Sequence, residues 1–249
     1  MLVSIITACF NSSNSIVHTI DSVNTQSYQK IEHIFVDGAS TDNTCDIILS
    51  NSNRRTRLIS EKDQGLYFAM NKGIKESKGD IIFILNSDDI FYNSDSVENI
   101  VEVFKNKNAE IVYSGMLVSK QNNFEKIIRK WIPKKYPKTG FSSGWHPPHP
   151  GFVVRKDVYS RYGLFDTELK IASDFEIMLR FMQRHKCLSE HYPHPIVIMQ
   201  DGGKSSKIKG IIDGAIDITK AFKKNNIKFN LINYFFLRYL GKIIQYINK

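Results

Sequence analysis

The sequence predicts an α/β fold in which a mostly parallel sheet is flanked by helices. Apolar strand patterns alternate with amphipathic helix patterns through the first half of the 249 residues. The connections are short, and repeated βα units of this kind form parallel sheets with right-handed crossovers. The strand pattern at 81–85 is apolar at every position, which is typical of a central strand that is covered on both faces.

The elements of the first half follow one another in order. Asn and Ser residues at 11–15 can cap the first helix, the Ser-Thr-Asp run at 40–42 can cap the second, and Gly79 can end the third. Helix capping is also the simplest interpretation of Asp42 and Asp95. Strand patterns lie at 2–8, 34–36, 58–59, 81–85 and 109–113, and helix patterns lie at 16–23, 47–49, 66–78 and 95–105.

The second half of the chain is less regular. It contains a basic stretch, Lys126–Lys138, which we interpret as a linker. We expect a sheet half at 1–115, a second half of the same domain at 116–225 that completes the cleft, and a C-terminal helical extension at 226–249. Helix patterns return at 155–162 and 174–185, a strand pattern at 196–199 leads into a loop at 201–206, and two helical stretches finish the chain.

The composition is that of a globular protein with excess positive charge. There are 34 Lys and Arg against 25 Asp and Glu, and 42% of the residues are hydrophobic, which excludes an intrinsically disordered chain. The net charge of +9 leaves nucleic acid, anionic lipid and phosphorylated substrates open as partners. Three scattered cysteines argue against a disulfide framework or a thiolate zinc site and favour the cytoplasm. The sequence shows neither a secretory signal nor an apolar run of about 20 residues.

Carboxylates follow three successive strand patterns at the points where the strands end. Asp37 follows the second strand, Asp63 the third, and the adjacent pair Asp88 and Asp89 the fourth. Because ligands of open α/β sheets bind outside the carboxyl ends of the strands, we expect these side chains at one edge. The adjacent pair repels itself unless a cation lies between its members, and Mn²⁺ or Mg²⁺ suits such oxygen ligands.

The sequence lacks several common nucleotide-site motifs. No GxGxxG follows the first strand, and neither GxxxxGK[ST] nor HExxH occurs. A dinucleotide-binding dehydrogenase, a P-loop ATPase or kinase and an HExxH metalloprotease are therefore unsupported. A nucleotidyltransferase also lacks support, because no glycine-rich basic loop follows the first strand. These absences favour a sheet that binds a nucleotide through carboxylates and a metal ion.

Four segments of the first half carry recognisable motifs: VSIITACFN at 3–11, VDGASTDNT at 36–44, SEKDQGL at 60–66 with AMNKG at 69–73, and LNSDD at 85–89. In this order and spacing they resemble the inverting family 2 glycosyltransferases of the GT-A fold, of the type found in bacterial polysaccharide biosynthesis. The similarity continues through GLFD at 163–166 and ASDFEIMLR at 172–180. The order and spacing of the motifs carry the resemblance, since each motif alone is modest.

The resemblance implies a donor site for a nucleotide-diphosphate sugar, with UDP favoured, and a bound Mn²⁺ or Mg²⁺. Asn86 stands where the metal motif usually opens with an acidic residue, so we expect a low metal affinity. The implied residues are Asp37 for the base, Thr7 and Asn11 for base and ribose, Asp63 at the pocket border, Asp88 toward the ribose and Asp89 for the metal ion.

The catalytic base implied by the resemblance is Asp174, which opens a predicted helix. Inversion at the anomeric carbon requires a base that takes the proton of the acceptor hydroxyl. Ser173 replaces the Glu that usually precedes this Asp. Glu176 lies two residues further on and is expected to face elsewhere on the helix.

A second candidate site is the proline-rich segment at 144–151, which carries Trp145, His146 and His149. These side chains suit stacking and hydrogen bonding to a sugar, and we expect them to bind the acceptor. A rigid surface connection is the alternative. His191 and His194, which neighbour prolines, are interpreted as loop residues.

The segment Phe229–Lys249 is predicted to be a basic amphipathic helix. Such a helix can lie in a membrane interface or can pack its apolar face on the domain, and the sequence leaves both open. The segment is not predicted to span a membrane, because Arg238 and Lys242 interrupt its apolar residues.

Taken together, the residues and the resemblance predict a metal-dependent inverting glycosyltransferase. We expect it to transfer a sugar to a glycan or lipid-diphosphate-linked acceptor in cell-surface polysaccharide biosynthesis. The expected location is cytoplasmic, peripheral on the inner face of the plasma membrane. The alternative is an inactive module that binds a membrane surface or a nucleotide sugar. Nucleic acid is not expected as a partner, because the aromatic residues are not interleaved with Lys and Arg.

Overall fold

A single nine-stranded sheet forms the centre of the computed structural model, in the order β3-β2-β1-β4-β8-β6-β9-β5, with β7 also paired to β6. The structure describes every residue except 52, 54, 203–207 and 248–249, and also excludes the side chains of 208, 244 and 247. The strands are β1 Val3–Cys9, β2 Ile31–Asp37, β3 Thr56–Ser60, β4 Ile81–Ile84, β5 Ile90–Phe91, β6 Ile111–Lys120, β7 Asn123–Trp131, β8 Phe152–Arg155 and β9 Ser189–Gln200.

Helices cover both faces of this sheet. Short 3₁₀ turns lie at Gly140–Ser143 and His149–Gly151, and a π-helical turn at Arg180–Arg184 continues the sixth helix. The helices are α1 Ile16–Asn24, α2 Thr44–Asn51, α3 Leu66–Glu76, α4 Ser96–Lys107, α5 Lys156–Tyr162, α6 Ser173–Leu179, α7 Ile208–Lys224 and α8 Leu231–Ile247.

The first four strands form the parallel half that the sequence predicted. β1 pairs in parallel with β2 and with β4, and β2 pairs in parallel with β3. Residues of β1 are buried along its whole length, which accounts for its continuous apolar pattern. The approach of α3 to β1 requires a glycine, since a Cβ on Gly73 would lie 2.3 Å from Ile6 Cγ2.

Beyond β4 the sheet is mixed, and two predictions for this part are wrong. β8 runs antiparallel to β4 and β6, while β9 runs parallel to β6. The basic stretch Lys126–Lys138 is not a linker, because its first half belongs to β7, which pairs antiparallel with β6. His191 and His194 are not loop residues, because both lie inside β9. The loop predicted at 201–206 lies mostly outside the described residues.

The hydrophobic core lies on both faces of the sheet. One face packs against α3, α5, α6 and α7 and includes Phe175, Phe222 and Tyr234. The opposite face packs against α4 through Val97, Ile100 and Phe104, and against α1 and α2 in a smaller cluster. The aromatic part of the first cluster joins α6, α7 and α8 into one unit, because the ring of Phe222 contacts those of Phe175 and Tyr234.

A buried histidine in β2 couples this core to pH. His33 is 3% exposed, its ring contacts that of Phe35, and its Nε2 lies 3.0 Å from the Thr7 hydroxyl. Burial lowers the pKa of His33 from 6.5 to about 3. The neutral imidazole is therefore the form that the folded protein holds.

We predict that acidification destabilises the protein through His33. Between the two pKa values the unfolded chain binds a proton that the folded protein does not, so the free energy of unfolding falls as pH falls below the unfolded value. Between about pH 7.5 and about pH 5, the free energy of unfolding of His33→Gln, measured with urea, should fall by about 2 kcal/mol less than that of the wild type. Equal losses in the two proteins would contradict the prediction.

Candidate active site

The carboxyl ends of β1, β2 and β3 lie side by side and present polar residues at one edge of the sheet. Cys9 at the end of β1 pairs in register with Asp37, and Asp37 pairs with Ser60 at the end of β3. The Gly38 N–H donates to the Cys9 carbonyl at 2.9 Å, so the first two strand ends remain joined beyond the ladder. This is the edge at which open α/β sheets bind their ligands.

Asp37 is completely buried, and donors surround its carboxylate. The Ser40 N–H donates to Oδ2 at 3.0 Å, its hydroxyl donates to Oδ1 at 2.5 Å, and the Ser60 hydroxyl donates to Oδ2 at 2.7 Å. The Cys45 thiol lies 3.3 Å from Oδ2. Burial alone would raise the pKa of Asp37, but these hydrogen bonds outweigh burial and lower the pKa below its usual value. Asp37 is therefore ionised at neutral pH.

The loop after β1 is joined to the loop after β2. Asn11, in the left-handed backbone region at φ 50°, accepts the Thr41 N–H on its side-chain oxygen at 2.9 Å and donates its own N–H to the Ser40 hydroxyl at 2.8 Å. Asp42 accepts the N–H groups of Thr44 and Ser13, which confirms its expected helix-capping role. Hydrogen bonds, that of the Thr44 hydroxyl first, lower the pKa of Asp42 to about 2.

The loop after β1 is joined equally to the turn after β4. The hydroxyls of Ser12 and Ser87 lie 2.9 Å apart, and the Ser15 hydroxyl donates to the Ser87 carbonyl at 2.9 Å. The Thr19 hydroxyl donates to the Asp89 carbonyl at 2.8 Å. Short hydroxyl contacts thus fix the positions of the three strand ends relative to one another.

Asp63 lies over the same edge and faces the backbone after β2. Its Oδ1 accepts the Gly65 N–H at 2.8 Å, and its Oδ2 would lie 3.0 Å from a Cβ placed on Gly38. A side chain at position 38 would therefore displace Asp63. The structure brings Asp37, Asp63 and Asn11 together, as predicted.

The two carboxylates after β4 have contrasting surroundings. Asp88 is exposed, although the protein removes part of its water and raises its pKa. Asp89 is 0% exposed: its Oδ2 accepts the Asn86 amide at 2.8 Å, and its Oδ1 has no hydrogen-bond partner among the described residues. Burial, followed by the charge of Asp88, raises the pKa of Asp89 well above its usual value, and hydrogen bonds from the Asn86 amide and the Gln200 backbone offset this only in part.

The unpartnered oxygen of Asp89 fits a metal ligand, but the described residues do not complete a metal site by themselves. They contain no cluster of three or more His, Cys, Asp or Glu side chains that could hold an ion. Two carboxylates at such a position are sufficient where substrate phosphates provide the remaining ligands. The protein's contribution to a divalent ion would then consist of Asp88 and Asp89.

Asp174 lies in the first turn of α6, close to His149 and Tyr67. Its Oδ1 accepts the Phe175 N–H at 2.8 Å, and no ion pair involves it among the residues that the structure describes. Burial lowers the pKa of His149 while the Asp174 charge opposes the shift, and burial followed by the same charge raises the pKa of Tyr67. Both neighbours are therefore neutral, and the Tyr67 hydroxyl donates to the Ile171 carbonyl at 2.7 Å.

Glu176 is engaged elsewhere, as its position two residues beyond Asp174 predicted. It is buried and forms an ion pair with Arg180 at 3.0 Å, while the Asn225 amide donates to its Oε1 at 2.9 Å. Arg180 in turn donates to the Leu164 carbonyl at 2.6 Å. This pair joins α6 to α7 and to the loop after α5, which leaves Asp174 as the free carboxylate of the first turn.

Trp145 and His146 lie in an aromatic cluster beside α6. The Trp145 indole donates to the Lys134 carbonyl at 3.1 Å, and the His146 ring is in edge contact with the rings of Trp131 and Phe175. Burial, followed by the charge of Arg238, lowers the pKa of His146 well below its usual value. Both side chains are half-buried, and their acceptor-binding role stays a prediction.

Sequence reasoning misplaced one side chain and missed several supporting ones. The Thr7 side chain is enclosed in the core with His33 and is not brought to the strand-end carboxylates. The hydroxyls that position those carboxylates were not predicted, although the Asn- and Ser-rich loop FNSSNS at 10–15 was a signal for them. These hydroxyls belong to Ser12, Ser15, Ser40, Ser60 and Ser87.

Comparison with known proteins identifies the family of this chain. Residues 4–163 match the family model described as Glycosyl transferase family 2. The chain belongs to this glycosyltransferase family. An uncharacterized glycosyltransferase of Mycobacterium tuberculosis is 32% identical over 180 residues, which are 72% of this chain and 68% of that protein. The predicted family and enzyme class are confirmed.

Solved structures of other glycosyltransferases confirm the predicted GT-A fold class. S. aureus TarS in complex with UDP-GlcNAc has a TM-score of 0.65 at 15% identity, with 96% of this chain and 70% of that one covered. The mannosyltransferase PcManGT of Pyrobaculum calidifontis, in complex with GDP-Man and Mn²⁺, has a TM-score of 0.67 at 19% identity, with the same shares covered. At these identities the likeness concerns the fold.

We predict that Asp89→Asn stabilises the ligand-free glycosyltransferase. Folding raises the pKa of the buried Asp89 carboxyl, so this group reduces stability at neutral pH whether it ionises in place or takes up a proton. Replacing it with a neutral amide should raise the free energy of unfolding by about 1 kcal/mol. Urea unfolding at neutral pH without divalent ions measures this change. Asp88→Asn, at the exposed neighbour, should raise stability by a smaller amount, because the protein removes only part of the water around that carboxylate. A destabilised Asp89→Asn protein would contradict the prediction.

Proposed function

We propose that this glycosyltransferase moves a sugar, with inversion, from a nucleoside-diphosphate sugar to a glycan or lipid-linked glycan acceptor in cell-surface polysaccharide biosynthesis. The observation that carries the proposal is that carboxylates lie at two positions, one at the strand ends and one on α6. One set gathers at the ends of β2 and β4, and Asp174 lies on α6 with no ion pair among the residues that the structure describes. The carboxylates at the strand ends suit a nucleoside diphosphate with a metal ion, and Asp174 suits an acceptor hydroxyl.

We favour a UDP-linked sugar as the donor. Ionised Asp37 is an acceptor, and the imide N–H of uracil is a matching donor. The Ser40 hydroxyl is the present partner of Asp37 Oδ1, and a base N–H could exchange with it there. TarS in complex with UDP-GlcNAc supports a uridine donor, whereas PcManGT in complex with GDP-Man shows that the same fold accepts another base.

The proposed metal site is formed by Asp88 and Asp89. A divalent ion bound there would neutralise the negative charge that develops on the departing diphosphate. The buried, unpartnered Oδ1 of Asp89 supports the assignment, as does the Mn²⁺ in the PcManGT complex. Asn86 orients Asp89 through its amide but brings no charge, so the metal affinity should depend on the two aspartates and the substrate.

Asp174 is the proposed catalytic base. The acceptor hydroxyl attacks the anomeric carbon as its proton passes to Asp174, and the bond from that carbon to the diphosphate oxygen breaks. The Phe175 N–H holds Oδ1, which leaves Oδ2 for the proton. His149 lies beside this position in its neutral form and can bind the acceptor without competing for its proton.

We predict that Asp174→Asn lowers turnover by about 10²–10⁴-fold, which is the usual contribution of a general base. Release of UDP from UDP-sugars in the presence of Mn²⁺ measures turnover even with water as the acceptor. Donor affinity in calorimetry should stay close to that of the wild type, because the donor contacts are assigned to other residues. The matched control is Asp157→Asn, an exposed carboxylate on α5, which should leave turnover unchanged. Loss of donor affinity in Asp174→Asn would instead make Asp174 a donor ligand.

We also predict that Asp89→Asn removes the Mn²⁺ dependence of donor binding. The wild type should bind UDP-sugar more tightly with Mn²⁺ than with EDTA, while the variant should bind equally in both conditions. Thermal-shift titrations of UDP-, GDP-, CDP- and dTDP-sugars measure this and also identify the donor. Unchanged Mn²⁺ dependence in the variant would refute the metal assignment, and a GDP preference would refute the uridine donor.

A further inference from the structure

Helix α8 packs on the domain through Tyr234 and the partly buried Phe235, together with polar residues of the same helix. Tyr234 is completely buried, and Arg238, one turn later, donates to the Tyr234 hydroxyl at 3.1 Å while its guanidinium lies over the ring of Phe175. Gln245, two turns further on, accepts from Arg129 of β7 at 3.4 Å. Residues at this spacing lie on one side of a helix. The face that contains the arginine and the glutamine is therefore the inner face.

The outer face of α8 is an apolar stripe. Its members are spaced by four, three, four and three residues, so they also share one side of the helix. Ile232 is 81% exposed, Tyr239 66% and Phe236 60%. The apolar stripe consists of Ile232, Phe236, Tyr239, Ile243 and Tyr246, with Leu240 beside it.

This orientation is the reverse of the usual one for a surface helix, whose apolar side faces the core. Contiguous apolar patches of this kind mark surfaces that bind a protein or a membrane. Deleting α8 would not test the stripe alone, because Tyr234 belongs to the core. At the end of the stripe, the ring of Tyr246 lies beside the Arg129 guanidinium of β7, whereas Ile232, Phe236 and Tyr239 are mostly exposed.

The surroundings of the stripe are strongly basic. The sequence contains no Asp or Glu at 126–156 or at 218–249, whereas these two segments contain eight and seven Lys or Arg residues. The basic residues include exposed Lys228 immediately before α8 and exposed Lys242 within it, next to the stripe. Exposed lysines also lie on the loop after β7, beside the turn on which α8 packs: Lys134, Lys135 and Lys138.

We propose that the apolar stripe of α8 docks the protein on an anionic lipid bilayer. The stripe would insert at the level of the acyl-chain boundary, with the lysines at the headgroups. No helix in the described residues has both the length and the apolar character needed to cross a membrane, so the helix would lie in the interface. A second copy of the chain is the other candidate occupant, but pairing two such faces would bring two basic surfaces together. The proposal does not depend on the sugar donor or the acceptor.

Co-sedimentation with vesicles tests this proposal. The full chain is mixed with vesicles of phosphatidylcholine and phosphatidylglycerol, or of phosphatidylcholine alone. We expect the wild type to sediment mainly with the anionic vesicles. Phe236→Ser/Tyr239→Ser should lower the partition constant by about tenfold or more, because each side chain loses its burial in lipid. Lys242→Gln should weaken binding to the anionic vesicles only.

The matched control is Leu188→Ser, which removes an apolar side chain of equal exposure (59%) from the turn before β9. This control should sediment like the wild type, and Ile232→Asp provides a second stripe variant if the double variant does not fold by thermal melting. Failure of the wild type to bind either vesicle would overturn the proposal, and so would stripe variants that bind like the wild type. A wild-type dimer in light scattering that the stripe variants dissociate, without vesicle binding, would assign the face to a second copy instead.

Discussion

The structure depends on one electrostatic constraint, which is that two carboxylates near the ends of buried strands, Asp37 and Asp89, have no contact with solvent. Asp37 meets this constraint with hydroxyl, thiol and N–H donors that come from three different segments. The Ser40 hydroxyl also accepts the Asn11 N–H and so joins the loops after β1 and β2, while the hydroxyls of Ser12 and Ser15 join the loop after β1 to the turn after β4. The hydrogen bonds that keep Asp37 ionised therefore belong to the network that shapes this edge of the sheet.

The other carboxylates differ in whether the protein provides hydrogen-bond or ion-pair partners for their oxygens. Glu176 has Arg180 and Asn225 as partners and serves the packing of α6 on α7. Asp89 is buried with one oxygen unpartnered, and Asp174 has a single backbone donor. Unsatisfied polar groups reduce the stability of a fold, and folds usually retain them where a ligand completes them. Asp89, with its buried unpartnered oxygen, and half-buried Asp174, with no ion pair among the described residues, are carboxylates with proposed roles in chemistry.

Local patterns predicted the first half of the fold well, because its strands and helices are each apolar in the period of their own structure. β7 could not be found this way, since its basic residues obscure the alternation and its pairing with β6 is stabilised by contacts distant in sequence. His191 was misplaced because neighbouring prolines suggested a loop, whereas β9 tolerates them. The motifs located Asp37, Asp63 and Asp89, but spacing cannot show that Thr7 faces inward. The amphipathic pattern also does not reveal which face of α8 packs on the domain, because the buried Tyr234 lies on the same side of the helix as Arg238 and Gln245.

Gly144 is the point at which α8 meets the segment that carries Trp145 and His146. A Cβ there would lie 2.7 Å from the Arg238 backbone nitrogen, and its φ of 78° also favours glycine. The helix and the segment are thus in direct backbone contact. If α8 rests on a bilayer, the acceptor side of the cleft stays at a fixed height above the lipid surface. Acceptors anchored in that surface would then be encountered by two-dimensional diffusion, at an effective concentration that depends on membrane area and not on cell volume.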